Sequence, residues 1–331
     1  SVVLSSTIER TRILSMNSPL NFIAKGVIPA TLIAFDQDYA VDQKNSLKHL
    51  RDVAATDGLS AITVNGHASE IHACSFAEQQ ELLALSLAEV GDRLPLVNGI
   101  YADGSHATVE IARMADAEGA SALLVFPPNS MSMGGQLCPD MAINHFRMIA
   151  SATDLPLILF QYPASTGLGY PFETMLSIFE EVPKIVAIKD WCNDPMLHER
   201  HIRTFQSLPR RVNVLSTHSS WLMASLSMGP AGLLSGAGSV IADLQVALFC
   251  AMSDNDLKRA RQVNDCIYPL AQAFYRAPFL DMHNRMKVCL ELLGRIERTV
   301  VRPPLMPLSS AEIDEMRTAL VASGLLSGSG R

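Results

Sequence analysis

Short apolar runs rich in β-branched residues alternate along this chain with longer amphipathic stretches. The runs GVIPATLIAF (26–35), LSAITVNG (59–66), LPLVNGI (94–100), SALLVFP (121–127), LPLILFQY (155–162), KIVAIKDW (184–191), RVNVLSTH (211–218) and AGLLSG (231–236) predict eight strands. Each is continuously apolar rather than cleanly alternating, as in a parallel sheet covered on its outer face. Between and after them, stretches at 42–58, 76–92, 105–119, 139–154, 171–182, 194–208, 219–229 and 242–254 carry helix start and stop signals. Ser75 before FAEQQELLALSLAEVGD is one such start.

Strands alternating with helices predict a parallel sheet. Eight units at this spacing predict a closed (β/α)8 TIM barrel over residues 26–254. An open doubly wound sheet fits less well, because no G-x-G-x-x-G turn follows the first strand. From residue 255 the chain changes character. LKRARQVNDCIYPLAQAFYR, APFLDMHNRMKVCLELLG and SAEIDEMRTALVASGLL read as three helices, with VRPPLMPLS as the loop before the last. These form a C-terminal helical extension (255–325). Residues 1–25 are an N-terminal segment, and 326–331 read as a flexible tail.

Composition narrows the function classes. The 331 residues are 48% hydrophobic and 18% charged, with a net charge of −7. No basic run or basic helix offers a nucleic-acid surface. No apolar run reaches the roughly 18–20 residues that span a bilayer, and Ser1–Ser6 lacks the charged flank of a secretory signal. The six cysteines, Cys74, Cys138, Cys192, Cys250, Cys266 and Cys289, form no C-x-x-C pair. They read as free buried thiols of a cytoplasmic protein.

The chemistry centres on IVAIKDW (185–191), where four apolar residues lead into Lys189. By the two-residue period of a strand, Ile185, Ala187 and Lys189 share one side. If that side faces the barrel interior, desolvation lowers the pKa of the amine. A neutral amine adds to a carbonyl and gives a Schiff base. The alternative is a strand-end lysine that reaches solvent or pairs with Asp190.

Several stretches resemble, in order, the dihydrodipicolinate synthase / N-acetylneuraminate lyase family. They are GVIPATLIAFDQDYAVD, VNGHASE, LILFQYPASTG, IVAIKD and VRPPLMPLS, covering roughly residues 26–325. The resemblance implies a (β/α)8 barrel with C-terminal helices, a homotetramer built as a dimer of dimers, and Schiff-base chemistry on pyruvate or other 2-oxo acids. It makes Lys189 the nucleophile.

The departures from the family matter for the reaction. Phe160 stands where the family has its proton-shuttling tyrosine, and Tyr162 stands two residues on, on the same strand face. Tyr162 either supplies a displaced phenol or only packs. In the turn Gly66-His67-Ala68-Ser69-Glu70 both family hydroxyl positions are gone. The amides of His67 and Ala68 still suit a carboxylate. His67, able to titrate near neutrality, is a replacement acid/base or a histidine satisfied by a backbone carbonyl. Glu70 braces the turn. Asn129 replaces a tyrosine contributed across the family's dimer, and Ser165 replaces the arginine that binds the second substrate of dihydrodipicolinate synthase. Trp191, His218 and Ser235 lie at strand ends and are further substrate contacts, unless they only cap helices.

No metal or other cofactor is expected. His198 and His201 sit three apart on a charged helix, which reads as a solvated face, and no third ligand stands at a telling spacing. The sequence therefore points to a lyase, aldolase or dehydratase, acting on a 2-oxo acid such as a 2-oxo-3-deoxy sugar acid. Authentic dihydrodipicolinate synthesis fits poorly. Two rivals remain: a disabled barrel that binds a 2-oxo acid as a regulatory protein, and an enzyme whose lysine acts only as a general base.

Overall fold

The computed structural model describes residues 20–327; most of the N-terminal segment and of the expected tail lies outside them. Eight parallel strands follow in sequence order: β1 (Gly26–Pro29), β2 (Ile62–Val64), β3 (Leu96–Ile100), β4 (Ala122–Val125), β5 (Leu157–Gln161), β6 (Ile185–Asp190), β7 (Asn213–Ser216) and β8 (Gly232–Ser235). Each pairs with its neighbour, and β1 pairs with β8. Bridges at Val27–Leu59 and Ala30–Thr63 join β1 to the β2 segment, closing the ring. The expected TIM barrel is present.

Helices return the chain after every strand: α1 (Gln43–Ala54), α2 (Phe76–Val90), α3 (Ser105–Glu118), α4 (Pro139–Ala150), α5 (Phe172–Glu181), α6 (Pro195–Phe205), α7 (Leu222–Ser227) and α8 (Gly238–Ser253). Ser75 caps α2 with a reciprocal Ser75–Glu78 capping box, and the Asp194 side chain caps α6. Helix α7 is shorter than expected because Ser219–Trp221 forms a 3-10 turn. Helix α8 begins four residues earlier than expected and has a non-helical residue at Ile241.

The strand pattern explains the two layers of core. Val97, Leu124, Ile158, Ala187 and Leu215 pack in the inner cluster, and Leu96, Leu123, Leu159, Ile188 and Val214 pack beneath the helices. One parity expectation fails. The register shifts between Leu157 and Ile158 against β6, so Ile185 packs in the outer cluster while Ala187 stays inside. An irregularity of one residue flips a side chain to the other face.

Three further helices, α9 (Leu257–Phe274), α10 (Met282–Leu292) and α11 (Ser310–Ala322), pack on α8 and on one another. A 3-10 turn, Phe279–Asp281, precedes α10. Glu70, in a left-handed conformation just after β2, forms a buried ion pair with Lys287 of α10 and accepts from the Arg302 amide at 3.2 Å. Lys287 also donates to the Val300 carbonyl at 2.9 Å. Arg302 holds Glu78 by two nitrogens, and that pairing lowers the Glu78 carboxyl to about 2.

All six cysteines are free. Only Cys192 and Cys289 are buried; Cys250 is exposed, so uniform burial does not hold. No described helix is long and apolar enough to cross a membrane.

Glu70→Ala strands a buried ammonium on Lys287, and chemical denaturation of the full chain should show a loss of about 3–5 kcal/mol. A loss below about 1 kcal/mol is the size of an exposed pair and would contradict the anchoring role.

Candidate active site

Parallel barrels present their sites at the C-terminal ends of the strands, and Lys189 lies there, at the end of β6. It is 4% exposed, and its Nζ lies 4.2 Å from the centroid of the Phe160 ring. Burial lowers its pKa to about 7, and no neighbouring carboxylate offsets that shift. Asp190 is not its partner. By strand alternation the aspartate points outward, where its Oδ2 accepts from Nδ1 of His198 at 2.7 Å and of His201 at 2.8 Å.

That arrangement corrects the reading of His198 and His201 as a solvated face. Both are fully buried, because positions 198, 201, 202 and 205 form the inward stripe of α6. It also corrects the view that no further ligand approaches His198: Asp190, Cys192, His198 and His218 place ligand atoms within 4.8 Å of one another. Their partners are one another and nearby groups. His198 Nε2 meets Ser225 Oγ at 2.8 Å, and His218 Nε2 accepts from the Asn193 amide at 3.1 Å. We read the cluster as a hydrogen-bonded brace behind β6.

Two cavities lie at the barrel mouth. A small chamber of about 40 Å³ touches Lys189 and is walled by Phe160, Trp191, Thr217, Gly236, Tyr275 and Phe279. An outer cavity of about 270 Å³ reaches Tyr101, Phe126, Asn129 and Tyr162. His67, Met282 and His283 belong to both walls and form the partition. The roof is the C-terminal extension: Phe279 stacks on Trp191 with centroids 5.0 Å apart. A wider groove of about 770 Å³ runs between α1 and α8, away from Lys189.

Tyr162 keeps the face of Phe160, with ring centroids 4.6 Å apart. Its hydroxyl lies 3.5 Å from His67 Nε2. Burial raises the phenol well above its ordinary value. Burial, reinforced by the Lys189 charge, lowers His67 to about 3. His67 thus does not titrate near neutrality as its residue type implied; at pH 7 it is a neutral imidazole.

The sequence candidates divide by position. Lys189, Phe160, Trp191, His67, Tyr162 and Asn129 line the two cavities. Gly66 and Ala68 flank His67 in the turn but line neither. Ser165 is exposed on the loop after β5. His218 sits in the Asp190 brace. Ser235 is fully buried, bonded to Ser219 Oγ at 2.6 Å and to Gln245 at 3.1 Å. Neither of these last two lines the cavities, and each is hydrogen-bonded to neighbouring groups.

Sequence reasoning missed Tyr101, Tyr275 and His283. Tyr101 directly follows β3 and hydrogen-bonds Asn129 Nδ2; its place at a strand end was a usable signal. Tyr275 and His283 come from the helical extension, which nothing in the local pattern aims at the barrel mouth.

A family model described as the dihydrodipicolinate synthetase family matches residues 23–323. The chain belongs to the dihydrodipicolinate synthetase family. An uncharacterized DapA-like lyase of Halobacterium salinarum is 27% identical, over 91% of this chain and 94% of that protein. A 4-hydroxy-tetrahydrodipicolinate synthase of Methanopyrus kandleri is 26% identical, over 93% and 99%. A probable 2-dehydro-3-deoxy-D-pentonate aldolase of Escherichia coli is 23% identical, over 91% and 98%. Among solved structures, a prophage protein of the dihydrodipicolinic acid synthase family from Escherichia coli, in complex with pyruvate, aligns with TM-score 0.82 at 22% identity, covering 92% of this chain and all of that one. That likeness concerns the fold.

A lysine with a pKa of about 7 is mostly protonated at pH 6 and mostly neutral at pH 8. Competitive amine labelling read by peptide mass spectrometry should show Lys189 half-reactive near pH 7. Half-reactivity near the ordinary lysine value of about 10.4 would refute the desolvated site.

Proposed function

We propose that this protein is a Schiff-base-forming lyase, of aldolase or dehydratase type, acting on pyruvate or another 2-oxo acid. One observation carries the reading: the desolvated amine of Lys189 inside the mouth of the barrel, where the family resemblance puts the nucleophile. The neutral amine adds to the C2 carbonyl and water leaves, giving an iminium. The iminium accepts the electron pair released when C3 loses a proton. The resulting enamine either attacks an aldehyde or expels a hydroxyl from the neighbouring carbon.

The turn after β2 suits the substrate carboxylate. Gly66 opens a 3-10 turn over His67–Ser69, and the amides of His67 and Ala68 are its leading donors. The Tyr162–His67 contact supports a proton path between two neutral groups, replacing the hydroxyl lost at Phe160. The exposed Ser165 supplies no cation for a second carboxylate, which weighs against dihydrodipicolinate synthesis itself. The small chamber beside Lys189 shares His67, Met282 and His283 with the outer cavity, so a 2-oxo acid bound at Lys189 lies next to that cavity.

Incubation with pyruvate and borohydride should leave a reduced adduct on Lys189, located by peptide mass spectrometry. Absence of an adduct across a panel of 2-oxo acids would sink the reading. Pyruvate methyl exchange in deuterated water should fall roughly 10²-fold in Tyr162→Phe while the adduct persists. An adduct in the wild-type chain with no methyl exchange would favour the binding-protein alternative. Assembly as a homotetramer, a dimer of dimers, is part of the proposal. One structural neighbour is described as a monomeric dihydrodipicolinate synthase variant, so light scattering of the full chain tests that part.

A further inference from the structure

The outer cavity constrains the second half of the substrate, and this inference rests on the lyase reading for its reaction. Ile71, Phe126, Leu280, Met282 and Leu305 give it an apolar wall. None of its described lining residues is a lysine or arginine. The one carboxylate among its described lining residues is Glu70, already paired with Lys287. His67 and His283, both held neutral by burial, offer no counter-charge, and the third imidazole, His72, is exposed to solvent. An anionic tail would lose its water there without gaining a cation.

Both hydroxyl groups of the wall are engaged. The Tyr101 hydroxyl meets Asn129 Nδ2, and the Tyr162 hydroxyl meets His67. Asn129 spends its own amide N–H on Asp103 Oδ1 at 2.8 Å. A site for a polyhydroxylated chain keeps donors and acceptors free for hydroxyls, since discrimination comes from leaving such groups unpaired with the wrong ligand. This wall pairs both of its hydroxyls internally, leaving Asn129 Oδ1 and imidazole nitrogens open among rings and branched carbons. At about 270 Å³ the cavity is just below the roughly 300–1,000 Å³ of drug-sized sites, room for one ring with small substituents.

We infer that the outer cavity holds an uncharged aldehyde bearing an aromatic or branched apolar group, the electrophile for the Lys189 enamine. The partition suits it: Met282, a flexible thioether, lines both chambers. C3 of the enamine forms a bond to the aldehyde carbon, the aldehyde oxygen takes up a proton, and water then cleaves the C=N bond. The product is a 4-substituted 4-hydroxy-2-oxo acid, with Lys189 returned as the amine. The reverse direction cleaves the same bond.

The test separates cavity from chemistry. Binding of benzaldehyde, D-glyceraldehyde and succinic semialdehyde to full-length Lys189→Ala protein is read by ligand-observed NMR, where no imine forms at that position. Turnover of each with pyruvate is read on the wild-type chain. Benzaldehyde should bind at least about tenfold more tightly than either rival and show the highest kcat/KM. Leu280→Arg, at a side chain 63% exposed and so tolerant of charge, should move the preference about tenfold toward succinic semialdehyde. Equal or tighter binding of succinic semialdehyde or glyceraldehyde overturns the inference, even when pyruvate is trapped on Lys189. Benzaldehyde preference without any pyruvate adduct keeps the cavity assignment and removes the lyase reading.

Discussion

The ion pair between Glu70 and Lys287 is the contact on which the site depends. It joins the turn after β2 to α10, and so fixes the helical extension over the open end of the barrel. Both side chains are about 1% exposed, where an unpaired charge is strongly disfavoured. The same turn carries His67 at its start, and the same helix opens with Met282 and His283. One charge pair therefore sets the spacing of the partition between the two cavities.

The desolvation of Lys189 follows from that roof. A lysine at a strand end in an uncovered barrel keeps its ammonium in water. Here Trp191 and Phe279 stack above it and Phe160 lies 4.2 Å below. The shift to about 7 has burial as its cause, so the reactivity of the amine belongs to the shape of the enclosure rather than to a single neighbouring residue. Asp190, next in sequence, is kept from neutralising this effect because it is committed outward to His198 and His201.

The replacement of hydroxyl groups along the mouth has a consistent physical direction. By the family resemblance, Phe160 removes a phenol, His67 and Ala68 stand in place of hydroxyl residues, and Asn129 stands in place of a tyrosine. What remains is a wall of rings in edge contact: His67 lies within 5.5–6.2 Å of Phe126, Phe160, Tyr162 and His283. Such a wall favours neutral, partly apolar surfaces. The chain belongs to the dihydrodipicolinate synthetase family, and this wall is the surface its barrel mouth presents.

The sequence by itself determined the fold and pointed to one candidate nucleophile. Eight apolar runs separated by capped amphipathic stretches specify a parallel barrel, because strand burial and helix capping are local and periodic. The buried run singled out Lys189, and the family resemblance, not the local pattern, made it the candidate nucleophile. Tertiary structure decided the rest. The burial of His198 and His201 depended on which face of α6 meets β6, and a charged helix with two histidines does not announce it. Ile185 turned outward because the register slips opposite Leu157, an event of pairing rather than composition. Tyr275, His283 and Phe279 reached Lys189 only through docking of the extension, whose anchoring residues are 217 positions apart. Contacts over that separation leave no periodic trace in a single sequence. The pKa values they set, about 7 for Lys189 and about 3 for His67, belong to the closed assembly.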